Sequence, residues 1–148
     1  MPDKLKELLS GSARILFVGI GNVLRMDDGA GVYISNHIRK EGKISALTVE
    51  VSIENYIGKI NSLNPDVLVL IDCVDFGSAP GNSSLLALSE IKSITYNTHN
   101  ISLRTLTDFF SMPVYVLGIQ PEKVEFGEKL SYLVRTEADN LISIINSH

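Results

Sequence analysis

Three short apolar runs, at residues 15–18, 67–71 and 114–119, constrain this chain more than any other feature. A strand with one wet face alternates apolar and polar residues, whereas a run without polar members belongs to a strand covered on both faces. Between the first run and a β-rich segment at 46–51, Ala30, Ile34 and Ile38 recur at one-turn spacing with Asn36, Arg39 and Lys40 interleaved. That spacing predicts a helix over 28–41, with Gly42 as its stop. A second short helix is expected over 56–63, closed by Asn64-Pro65 just before the 67–71 run. Strands that alternate with helices imply right-handed crossovers and parallel pairing.

The second half is less regular. Residues 77–84 are rich in turn formers, 85–88 suit an edge strand, and 94–96 have no clear assignment. Asn100 or Ser102 is placed to cap a helix running to about Phe110. The closing helix carries Leu130, Leu133, Val134, Ala138, Leu141, Ile142 and Ile145 on one stripe, with Glu128, Arg135, Glu137 and Asp139 elsewhere. At the other end Leu5, Leu8 and Leu9 form one face of a short leader helix within 1–12, set off by Ser10-Gly11-Ser12. The expectation is a single α/β domain over 1–148: a three-layer αβα sandwich around a mostly parallel twisted sheet of about five strands.

A chain of 148 residues, 45% hydrophobic, is long enough to bury a substantial core as one unit. Its net charge of −4 offers no basic face for nucleic acid. The longest apolar run falls far short of a membrane span, and the first ten residues alternate in charge instead of forming a signal-like core. A cytoplasmic protein is expected. Cys73 is the single cysteine, which excludes intramolecular disulfides and restricts any metal site to oxygen and nitrogen ligands.

The turn after the first apolar run carries the chemistry. Gly19, Gly21 and Asn22 lead to Asp27, Asp28, Gly29 and Gly31, so a strand ends in a tight turn and the next helix opens on two acids. Gly19 and Gly21 match the first two glycines of a dinucleotide loop, but Leu24 stands where the third is needed. A phosphate there would also face Asp27 and Asp28, and like charges roughly 4 Å apart repel by about 4 kcal/mol at an effective dielectric near 20. A cation fits better. In a parallel sheet Asp28, just beyond the first strand, and Asp72, closing the 67–71 strand, reach the same carboxyl-end rim, where ligands bind in such folds. His99 lies in the polar stretch 97–100, and two carboxylates with one imidazole suit nickel or zinc better than magnesium.

Each of these residues also has a plain structural reading. Asp27 and Asp28 are favoured helix-capping residues. Asp72 and Asp75 are suited to binding turn amides, Asp75 ahead of Gly77, while Cys73 suits a small core position.

The stretch from Gly19-x-Gly21-Asn22-x-Leu24 through Asp27-Asp28-Gly29-x-Gly31, together with 71–77, resembles the hydrogenase maturation proteases. These endopeptidases trim the C-terminal extension of nickel-iron hydrogenase large subunits. Thr98-His99-Asn100 and Leu117-Gly118-Ile119-Gln120-Pro121 are similar to the branch that acts on hydrogenases of the formate hydrogenlyase type. The resemblance runs from Ile15 nearly to the end. It implies Asp28, Asp72 and His99 as metal ligands, with Asp28 and Asp72 also as the catalytic candidates. It further implies a nickel-loaded large-subunit precursor as partner, the nickel being the precursor's own; zinc, cadmium or calcium are alternative occupants. Where the family has a Gly-Gly-Thr-like turn after the second strand, Val51-Ser52-Ile53 stands here. Two other readings of the same residues are a non-catalytic, metal-binding hydrogenase assembly factor and, from Gly19 and Gly21 alone, a nucleotide-binding domain.

Overall fold

The computed structural model describes residues 3–88 and 105–148. Five strands form one sheet: β1 (Ile15–Ile20), β2 (Ile44–Glu50), β3 (Val67–Cys73), β4 (Ser83–Ala87) and β5 (Val114–Ile119). Their order is β2-β1-β3-β5-β4, with β4 alone antiparallel. Helices α1 (Asp3–Ser10), α2 (Ala30–His37), α3 (Ile57–Leu63) and α4 (Tyr132–Asn146) cover it. The expected three-layer αβα architecture is what forms.

Strand parity builds the two outer interfaces. Ile15, Phe17, Val69, Ile71, Leu117 and Ile119 point to one face, where Leu5 and Leu9 of α1, Ala30 and Ile34 of α2, and Val134, Ala138, Leu141 and Ile145 of α4 pack. Leu16, Val18, Leu68, Leu70, Val114 and Val116 point to the other, against Ile53, Ile60, Leu106 and Phe110. Since both faces of β1, β3 and β5 are largely buried, neither parity carries charged residues within the apolar runs, which is why the runs are unbroken. Among the described residues no helix is long and apolar enough to cross a membrane.

Several boundaries differ from the sequence expectation. The helix expected over 28–41 starts as a 3₁₀ turn at Met26–Gly29 and continues as α2 only to His37. Ile38 turns extended and buries its side chain. Asn146 of α4 then binds the chain there, donating to the His37 carbonyl at 3.0 Å and accepting the Arg39 amide at 2.7 Å. Gly42, expected as the stop, sits five residues past the helix at φ +58, inside the turn that feeds β2. β2 therefore begins at Ile44 instead of 46. The edge strand is Ser83–Ala87 instead of 85–88, in register with β5. The stretch 94–96 and the start of the helix expected from Asn100 or Ser102 lie outside the described residues; its end forms a 3₁₀ turn at Thr105–Phe109.

Candidate functional site

The sheet order contains a switch point. From β1 the chain crosses over α2 to β2 on one side, then over α3 to β3 on the other, so a crevice opens between the carboxyl ends of β1 and β3. Those two ends carry Gly21 and Asp72.

Glycines seat the helix that delivers Asp28. A Cβ on Gly31 would lie 2.1 Å from the Ile71 carbonyl oxygen and 2.5 Å from that of Ile20, and one on Gly19 would lie 2.5 Å from the Gly31 carbonyl oxygen. The first turn of α2 thus rests directly on β1 and β3. Gly31 provides the close helix–strand approach that the dinucleotide pattern assigns to the position held here by Leu24. Gly21, at φ +140, is wedged tighter still: its Cβ would meet the Asp28 carbonyl oxygen at 1.9 Å and the Asp72 Oδ1 at 3.8 Å. The turn after β1 therefore touches both acids.

Asp28 and Asp72 are each 1% exposed. Asp28 Oδ2 accepts the Asn22 amide at 3.0 Å, and Asp72 Oδ1 accepts the Cys73 amide at 2.8 Å. Sequence separation apart, the two carboxylates share one neighbourhood, on the Gly21-Asn22 turn. Cys73 senses them: burial pushes its thiol well above the ordinary range, and the negative charges of Asp72, Asp28, Asp27 and Asp75 push it further. A rim that gathers buried negative charge in this way attracts a cation and repels phosphate.

Asp27 departs from both sequence readings. It caps neither α2 nor its own 3₁₀ turn. Fully buried, its carboxylate accepts the amides of Glu122, Lys123 and Ser131 and the Ser131 hydroxyl, all across the molecule. The part played by Gln120, which follows β5, is likewise invisible in the sequence. Its Oε1 accepts the Phe76 and Ser78 amides at 2.7 and 3.2 Å, and its Nε2 donates to Asp75 Oδ1 at 2.9 Å. Asp75 also accepts the Gly77 amide, the turn bond expected of it. The Gln120 amide and then the Gly77 amide hold the Asp75 carboxyl below the usual range. Together they fix the loop leaving β3. A buried acid and a buried amide are visible as residue types, but their partners lie tens of residues away, so no local signal marks them.

His99 lies outside the described residues, and among those described no group of three His, Cys, Asp or Glu side chains assembles with metal-binding spacing. Asp28 and Asp72 offer carboxylate oxygens, hard donors of the kind that divalent cations accept.

Fold and rim define a class: a small doubly wound α/β domain whose switch point presents carboxylates instead of phosphate-binding amides. Residues 35–148 match the family model HycI, hydrogenase maturation protease. The Hydrogenase 3 maturation protease of Escherichia coli K12 is 31% identical over 113 residues, 72% of each chain. A Methanocaldococcus jannaschii protein named as a hydrogenase maturation protease is 25% identical across 98% of this chain and 94% of its own, so it spans the Asp27-Asp28 turn as well. The crystal structure of the [NiFe] hydrogenase maturation protease HycI from Thermococcus kodakarensis superposes with a TM-score of 0.84 at 27% identity, covering 97% of both chains. The solution structure of the endopeptidase HycI from Escherichia coli gives 0.78 at 25% identity, over 90% of this chain and 89% of that one. The chain belongs to the hydrogenase maturation protease family, and it is a peptidase.

Proposed function

We propose that this protein removes the C-terminal extension of a nickel-iron hydrogenase large-subunit precursor after nickel insertion, using Asp28, Asp72 and His99 to recognise the metal. The observation that carries the reading is the meeting of Asp28 and Asp72, 1% exposed, on the Gly21-Asn22 turn at the switch point. Family membership supports the substrate class. The name of the Escherichia coli relative specifies Hydrogenase 3 as what that protein matures.

The nickel belongs to the substrate. Two carboxylates and an imidazole leave coordination positions open, so a metal already held by the precursor can be engaged without being extracted. A cation at this rim polarises the scissile carbonyl. One of the two aspartates then serves as general base, taking a proton from the attacking water. Zinc, cadmium or calcium can substitute at the same ligands.

Incubation with purified precursor, nickel-loaded or nickel-free, followed by intact-mass spectrometry, tests the proposal. Loss of a C-terminal fragment from the nickel-loaded form alone is the expected result. An unchanged mass in both samples overturns it.

A further inference from the structure

Asp27 takes no part in the chemistry above, yet its carboxylate collects four donors. Oδ1 accepts the Ser131 amide at 2.7 Å; Oδ2 accepts the amides of Glu122 and Lys123, both at 2.9 Å, and the Ser131 hydroxyl at 2.8 Å. The Asp27 amide donates in return to the Lys123 carbonyl at 3.1 Å, and next to it Met26 donates to the Gly127 carbonyl at 2.7 Å. The whole segment between β5 and α4 is thereby stitched to one 3₁₀ turn.

Ser131 shows which partner this arrangement serves. It is the N-cap of α4, where a serine oxygen ordinarily accepts the helix's own first amides, but no such bond forms. Its hydroxyl is turned to Asp27 instead. A 3₁₀ turn has about three residues per turn, so the side chains of neighbours project roughly 120° apart. Asp27 points into the β5–α4 segment, and Asp28 to the Asn22 amide at the rim. One acid anchors the turn and the next is presented by it.

We infer that Asp27 is a positioning residue: the clamp of its carboxylate on Glu122, Lys123 and Ser131 holds Asp28 in place against the Gly21-Asn22 turn. The consequence for catalysis rests on the role proposed for Asp28. The consequence for geometry does not.

Amide hydrogen exchange by NMR on the full chain, with Asp27→Asn, Ser131→Ala and Ser131→Thr, tests it. The probe is the Asn22 amide, which is bonded to Asp28. Ser131→Ala deletes one charge-assisted bond and should speed exchange at Asn22 by about tenfold. Asp27→Asn should speed it more, and Ser131→Thr, which keeps the hydroxyl, should restore the parent rate. Amides in the middle of β1 and β3 should not change. In parallel, precursor cleavage should lose kcat in the same order, with KM within about twofold. An unaltered Asn22 amide in Ser131→Ala, or acceleration spread equally over all strands, overturns the inference, as does a Ser131→Thr rate equal to that of Ser131→Ala. If Asp27→Asn does not fold, the Ser131 pair decides. Failure of the parent protein to cleave precursor counts against the proposed function alone, since the exchange measurement uses no substrate.

Discussion

Replacing Gly31 with alanine sets two effects of known sign against each other. In an isolated helix the change is favourable by about 1 kcal/mol, because alanine is the best helix former and glycine among the poorest. In this fold the new methyl would sit 2.1 Å from the Ile71 carbonyl oxygen and 2.5 Å from that of Ile20. Both are backbone atoms of central strands, so no rotamer change relieves them. Helix α2 must lift by roughly 1 Å, and a gap of that size forfeits a quarter to a half of the dispersion across the interface. Overpacking against backbone of this kind costs about 3–4 kcal/mol, at the upper end of what extra methylenes do in cores. The net loss is therefore about 2–3 kcal/mol, or roughly 4–12 °C in Tm for a domain of this size. Gly58 in α3 is the control. A Cβ there meets nothing within 4 Å, so Gly58→Ala should stabilise by about 0.5–1 kcal/mol through propensity alone. Urea unfolding followed by circular dichroism reads both, provided the m-values match the parent's. If Gly31→Ala is as stable as the parent while Gly58→Ala gains, the close seating of α2 on β1 and β3 is not what the glycine provides.

Asp28→Asn and Asp72→Asn keep shape while removing charge, so each should lower precursor cleavage by roughly 10²–10⁴-fold with little change in the far-ultraviolet spectrum; a rate within twofold of the parent for both would remove them from the chemistry. Cys73 is 1% exposed with its thiol pushed up, so a thiol reagent at pH 8 should label it only after urea unfolds the chain, and rapid native labelling would contradict the burial. The same shift sets a pH dependence. The unfolded thiol ionises near its ordinary value of about 8.5 while the folded one stays protonated, so stability is fully present below that pH and declines above it; Cys73→Ala should flatten that decline in urea midpoints between pH 8 and 10.

The layered fold was legible because it follows from local patterns. Unbroken apolar runs mark strands with two buried faces, and the stripe ending in Leu141 and Ile145 marks the helix that covers one of them. Boundaries failed where a distant residue intervened. Asn146, more than 100 residues on, binds the backbone around His37 and Arg39, so α2 stops well before its periodic pattern does. The site was half legible: Asp28 and Asp72 could be placed on one rim from topology, but the partners of Asp27, at Glu122, Lys123 and Ser131, could not.

By itself the sequence determined the alternation of strands and helices, the negative charge of the turn after β1 and the membership of Asp28 and Asp72 in one carboxyl-end rim, since each depends on residue type and short-range spacing. Only the tertiary structure decided that two adjacent, chemically identical acids take different partners. Asp27 and Asp28 differ by one step of a 3₁₀ turn, and that rotation sends one carboxylate to the start of α4 and the other to the Asn22 amide. The partners that tell them apart are brought there by chain that folds back from β5, and no local pattern records where it lands.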